Sequence, residues 1–237
     1  MPLPKLVTPT YELELPSTGQ KIKYRPFLVK EEKILLLAME SEDEKQMTEA
    51  VKVILKNCIQ TAKIKVEELA LFDIEYLFLN IRGKSVGEEI ELNVTCPDDG
   101  VTVVPFSIDI DDIKVQKEEG HSNTIDLGGG VSMVMKYPSM ELFVKNNISQ
   151  SSNVDDVFEI AASCISQIVE GEDVYEAGNF SKKELLAFLE EMSTQQFLSV
   201  QKFFETMPKL SHTITVTNPE TGKENEIVIE GLASFFV

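Results

Sequence analysis

The sequence predicts an α+β protein, with antiparallel β-hairpins at the start, centre and end of the chain packed with two groups of amphipathic helices. Three features carry that expectation. Apolar and polar residues alternate in paired runs separated by turn residues, the pattern of hairpins. Between those runs, apolar residues recur at helical spacing. Finally, FDIEYLFLNIRGKSVG, Phe72 to Gly87, is apolar on more than one face before it meets a basic, glycine-punctuated end, which marks a helix covered on most sides.

Taken in order, Tyr11 to Leu15 and Lys21 to Phe27 alternate on either side of Pro16-Ser17-Thr18-Gly19, which predicts an N-terminal hairpin. Val29 to Glu40 reads as a first helix. Ser41 with Glu44 forms an S-x-x-E capping box ahead of Met47, Val51, Ile54 and Cys58, which predicts a second; each carries one apolar stripe. Glu67 to Leu71 leads into the central helix, where Ile74, Leu77, Phe78 and Ile81 fall at i, i+3, i+4 and i+7. Asp73 can cap its start. Arg82 and Lys84 place cations at its C-terminal end, and Gly83 supplies the residue a left-handed cap uses.

After Gly87 the period changes to two: Ile90, Leu92, Val94 and Cys96 alternate with polar residues, Pro97-Asp98-Asp99-Gly100 turns the chain, and Val101 to Ile110 returns. The polar run Gln116 to Asn123 reads as a mobile linker and sets a boundary near residue 120, dividing the chain into 1–120 and 121–237. Thr124 to Lys136 carries one strand pattern interrupted by Gly128-Gly129-Gly130, and Pro138-Ser139 starts a short helix, Met140 to Asn147. Asn153, Asp155 and Asp156 cap a helix whose Val154, Val157, Phe158, Ala161, Ile165 and Ile168 share a face, closed by Gly171. Ser181 with Glu184 is another capping box, and a helix from Thr194 ends before Pro208. Thr213 to Thr217, the Asn218-Pro219-Glu220-Thr221-Gly222 turn and Glu226 to Glu230 form the last hairpin.

A formal net charge of −18 opposes a role on duplex nucleic acid or an anionic membrane, since either needs a basic field. No apolar core follows Lys5 at the N-terminus, and no window approaches the roughly 18 apolar residues of a membrane span, so the expected compartment is a cytoplasm. Cys58, Cys96 and Cys164 are widely spaced and odd in number, which predicts reduced thiols, with Cys58 and Cys164 packed in the core on the apolar faces of their helices. Cys96-Pro97-Asp98-Asp99-Gly100 has the shape of half a zinc knuckle, but Asp99 stands at the second cysteine position and only His121 and His212 could add ligands. Asp109 to Asp112 lacks the spacing of a calcium loop, and Gly128 to Gly130 lacks that of a phosphate cradle. No nucleophile motif accompanies either histidine. The expectation is therefore no catalytic residue, no cofactor and no metal, with an intracellular enzyme of scattered site residues as the alternative.

Three stretches carry more than patterning: Tyr24-Arg25-Pro26-Phe27-Leu28-Val29-Lys30-Glu31-Glu32-Lys33, FDIEYLFLNIRGKSVGE from Phe72, and FFETMPKLSHTITVTNPETGKENEIVIEGLASFF from Phe203. In them the chain resembles the baseplate hub protein family of T4-type contractile-tailed bacteriophages. The resemblance implies a non-enzymatic part in building the central hub of the tail baseplate, as a structural subunit or as an assembly chaperone. Its partners would be other hub or tail proteins, and its location the host cytoplasm during assembly or the virion tail. Independently, Leu232, Phe235, Phe236 and Val237 place large apolar side chains at a chain end, where they either fold into the core or dock on a partner.

Overall fold

A computed structural model describes residues 6–41, 43–140, 142 and 154–231. Its strands are β1 (Tyr11–Glu14), β2 (Lys21–Tyr24), β3 (Glu89–Thr95), β4 (Val103–Asp109), β5 (Lys114–Gln116), β6 (Thr124–Gly128), β7 (Val131–Met135), β8 (Ile165–Glu170), β9 (Asp173–Glu176), β10 (Lys209–Thr217) and β11 (Glu224–Glu230). The α-helices are α1 (Val29–Glu40), α2 (Glu44–Cys58), α3 (Leu71–Val86), α4 (Val154–Cys164), α5 (Lys182–Glu190) and α6 (Thr194–Thr206). All strand pairing is antiparallel, and the fold is α+β. The chain forms two compact units, one from residues up to Gln116 together with those from Lys209 onward, the other from Lys117–Pro208.

In the first unit α3 is the central element: Ile74, Leu77 and Ile81 are fully buried, and the helix packs against α2 as well as against β5 and β10. Its ends differ from the expectation. Asp73 does not cap it; the buried carboxylate instead accepts the Ser17 amide at 3.0 Å and the Ser17 hydroxyl, tying the β1–β2 turn to the helix. Nor does the helix stop at Gly83. It runs to Val86 and ends at Gly87, while Gly83 sits inside it because a Cβ there would lie 2.9 Å from Ile110 Cδ1. At the first helix pair, Asp43 rather than Ser41 caps α2, accepting the Lys45 amide at 2.8 Å. Ser41 turns its hydroxyl back to the Ala38 carbonyl at 2.7 Å and closes α1, so the expected capping box does not form.

The three hairpins β1–β2, β3–β4 and β10–β11 share one turning device, x-Pro-x-x-Gly, at Leu15–Gly19, Cys96–Gly100 and Asn218–Gly222. In each, the glycine amide donates to the carbonyl of the first residue, at 2.8, 2.9 and 2.8 Å respectively. Each glycine has φ near +70°, a region costly for a side chain, and proline presets the second position. The first residue of every turn points inward: Leu15, Cys96 and Asn218 are all 1% exposed or less.

The hairpin β10–β11 joins the first unit because β10 also pairs with β5, Lys209 opposite Gln116 and Ser211 opposite Lys114. The boundary near residue 120 groups it instead with 121–237; β5 is three residues long, too short for alternation to announce it. Side chains from β3, β4, β10 and β11 meet Leu79 of α3 in one buried cluster with Ile90, Leu92, Ile108, Ile214 and Ile229.

The second unit is a four-stranded sheet, order β6-β7-β8-β9, with α4, α5 and α6. Here the sequence reading needs its largest corrections. Thr124 to Lys136 is a hairpin rather than one interrupted strand, with a bulge between Asp126 and Gly128 and Gly129-Gly130 as its turn. The helix expected to reach Ile168 ends at Cys164, and the chain passes straight into β8. Ile165 and Ile168 fit a helical stripe by spacing, but β-branched Ile165, Ile168 and Val169 satisfy a strand better, and Gly171-Glu172 returns it to β9. The two remaining helices form as expected, with the predicted reciprocal box at Ser181/Glu184 and a second, not anticipated, at Ser193/Gln196. The core holds Ile125, Met133, Met135, Ala161, Cys164, Leu189 and Phe203. Apart from Met140 and Leu142, the expected helix Met140 to Asn147 and the Asn153 cap lie outside the described residues.

Candidate interaction surfaces

Of the residues singled out for chemistry, those of the knuckle-like turn are engaged in holding two hairpin tips together. Asn218 Nδ2 donates to Asp98 Oδ1 at 2.8 Å and Asp99 Oδ2 at 3.0 Å, and its Oδ1 accepts the Glu220 amide at 2.8 Å. Thr221 donates to Asp98, and Asn225 Oδ1 accepts the Asp98 amide at 3.1 Å. These hydrogen bonds stabilise the charged form of both carboxylates. The Thr102 hydroxyl and the amides of Val101 and Thr102 hold Asp99 far below the usual range, and the Thr221 hydroxyl with Asn218 lowers Asp98. Burial raises the Cys96 thiol and pushes Cys58 up to about 11 and Cys164 up to about 12, so all three are neutral thiols at pH 7. Among the described residues no group of three or more His, Cys, Asp or Glu side chains is placed to hold a metal ion.

The histidines also have structural settings. His121 lies in the segment read as a mobile linker, yet its ring contacts Thr206 Oγ1 at 2.9 Å and the Tyr137 hydroxyl at 3.1 Å and packs beside Phe203 with centroids 5.3 Å apart. It clasps the beginning of the second unit to its end. Burial and the Lys117 cation lower its pKa below the ordinary 6.5. His212 Nδ1 lies 3.1 Å from the Asp112 carbonyl oxygen. The acidic residues at 109–112 form a short turn in which Asp109 accepts the Asp111 amide at 2.8 Å.

What the surface does offer is apolar area. On α1, Glu31, Leu35 and Ala38 face inward, whereas Val29, Leu36 and Leu37 are exposed on the other side, so this helix has two apolar faces rather than the single stripe expected. Its start is locked by Glu31, buried among donors: Arg25 Nη2 lies at 3.1 Å and the Leu28 amide donates at 2.8 Å. Those hydrogen bonds keep Glu31 ionised despite burial. Arg82 keeps one buried guanidinium nitrogen, Nη1, with no hydrogen-bond partner among the described residues.

In the second unit an open cavity of about 500 Å³ lies between the sheet and α5. Val131, Ile168, Tyr175, Phe180, Leu185 and Phe188 supply its apolar wall, and Glu170 and Glu184 its carboxylates. Register explains the grouping: Val131 pairs with Glu170 and Ile168 with Tyr175, two positions apart on one face of the sheet. Sequence reasoning misses Tyr175 and Phe180 because β9 went unread; an aromatic residue amid acidic neighbours in DVYE was the available signal. The expected partner surface Leu232, Phe235, Phe236 and Val237 lies outside the described residues, which leave β11 at Gly231 beside Glu75 of α3.

A scaffold of hairpins and helices fastened by buried polar locks, with large apolar side chains left on its surface, has the makings of a building block that others pack against. The model of the family described as T4 bacteriophage base plate protein matches residues 8–237, and the chain belongs to that family. No curated protein and no solved structure matches it. No helix among the described residues is long and apolar enough to cross a membrane.

Proposed function

We propose that this base plate protein works without catalysis, through protein contacts, in assembling the central hub of the phage tail base plate. The observation that carries the reading is the family match over nearly the whole chain, since the chemistry it implies is assembly. The exposed apolar residues of α1 support it, because a packed neighbour would cover them. The partners are other hub or tail proteins, met in the host cytoplasm, with Leu232, Phe235, Phe236 and Val237 as anchors on one of them. Buried aromatic anchors contribute roughly 2 kcal/mol or more each to an interface.

Deleting the gene is expected to yield tails without hubs, and complete base plates in its absence would overturn the reading. Mass spectrometry of purified virions then separates the two forms of the role, presence marking a structural subunit and absence an assembly chaperone. A chain truncated after Gly231 is expected to melt as the full-length protein does while no longer co-purifying with hub components. An early melt would assign those residues to the chain's own core.

A further inference from the structure

The cavity in the second unit has a character that its apolar wall alone does not express. Its volume of about 500 Å³ falls in the range of about 300–1,000 Å³ typical of ligand pockets, enough for a large side chain with its backbone at the mouth. Tyr175 and Phe180, whose rings lie 6.4 Å apart, are both 39% exposed, so the aromatic lip is open to an incoming group. Both charged residues of the lining, Glu170 and Glu184, are acidic, and Glu172, Asp173 and Glu176 are exposed on the adjoining hairpin.

The cations of α5 do not offset this field. Lys182 is held by Glu159 at 2.8 Å, and Lys183, two positions before Leu185, points about 200° around the helix from it. Glu184 is fixed in place by its capping box, accepting the Ser181 amide at 2.7 Å, so its carboxylate stays at the rim. A second copy of this chain is a poor occupant. With a net charge of −18 overall, it would bring carboxylate to carboxylate at the closest approach.

We infer that this cavity receives a segment of a different protein, one presenting an aromatic or large aliphatic side chain flanked by lysine or arginine. The apolar anchor fills the space between β8, β9 and α5, and the flanking cations meet Glu170 and Glu184. β9 is the terminal strand of the sheet and all four of its residues are exposed, so the segment approaches along this edge. The inference rests on the proposed assembly role, because it names the chemistry of one contact that role requires.

The test uses the full chain and two synthetic peptides, acetyl-Lys-Lys-Phe-Leu-Lys-Lys-amide and its counterpart with every Lys replaced by Glu, with binding read by isothermal calorimetry. The basic peptide is expected to bind at least tenfold more tightly than the acidic one, and to weaken as salt rises. Glu170→Lys and Tyr175→Ser, both at exposed or rim positions, should each reduce its affinity at least fivefold while leaving the melting temperature within a few degrees. Equal binding of the two peptides, or affinity untouched by both substitutions, overturns the inference. So does a wild-type dimer in sedimentation that Tyr175→Ser dissolves, which would give the cavity to a second copy. Normal incorporation of the Tyr175→Ser and Glu170→Lys chains into base plates, together with no peptide preference, would refute this contact and leave the assembly role standing. Selective peptide binding by a chain dispensable for hubs would refute the role instead.

Discussion

Leu79→Ala tests whether α3 is the element that joins both long hairpins of the first unit. Leu79 is 1% exposed and is the buried residue α3 contributes to the cluster holding Ile90 and Leu92 of β3, Ile108 of β4, Ile214 of β10 and Ile229 of β11. Truncating a buried leucine removes transfer energy and leaves a cavity, together about 2–5 kcal/mol. The site belongs in the middle to upper part of that range, about 3–4 kcal/mol, because its neighbours are mostly β-branched strand residues fixed by sheet register, which collapse poorly into the gap. For a unit of this size each kcal/mol moves the melting point by about 2–4 °C, so a fall of about 10 °C is expected in scanning calorimetry of the full chain. Val228→Ala is the control. That residue lies on β11 but is 60% exposed, and its loss should stay within about 0.5 kcal/mol. A Leu79→Ala transition within about 1 °C of wild type would refute the central place given to α3.

The other outcomes follow from buried polar groups. Because folding lowers the His121 pKa below 6.5, the unfolded chain binds the proton more tightly. The clasp's contribution is thus whole above pH 6.5 and is lost as pH falls through the folded value. Urea melts at pH 7.5 and 5.5 should show that loss in wild type and a smaller one in His121→Gln, and identical losses would dismiss the clasp. Asp73 has the opposite sign: burial raises its pKa, so its charge costs stability at neutral pH, and stability is regained as pH falls through the folded value. Asp73→Asn keeps an acceptor for the Ser17 amide without the charge and should melt at or above wild type at pH 7. Asp73→Ala, which strands that amide, should melt several degrees lower, and equal effects would mean that the Ser17 contact is not what holds the turn.

The hairpins and most helices of the first unit were legible because their signals are local. Alternation in β3, the reciprocal pattern of β10 and β11, and the x-Pro-x-x-Gly turns are written within a few residues of one another. Errors arose where tertiary contact chose among local options. Gly83 looks like a helix end until Ile110 packs against it, and Asp73 looks like a cap until Ser17 arrives from a turn 56 residues away. The junction at Cys164 was illegible for a further reason: a buried strand and a helix segment can place Ile165 and Ile168 alike, and only pairing with β7 decides between them.

That division bears on which features carry function. Arg25, Glu31, Asp73 and Asn218, all within the span that matches the base plate family, act as locks that hold α1, the β1–β2 turn and the two hairpin tips. Losing one leaves a buried polar group unmatched, at a cost of about 1–3 kcal/mol, so such residues answer to the fold whatever the protein binds. At the acidic cavity of the second unit Glu184 holds the α5 capping box, but the aromatic mouth is less constrained. Tyr175 and Phe180 stand at its mouth with more than a third of their surface open. Residues free to vary without unfolding the chain are the ones a binding surface can use to match a particular partner.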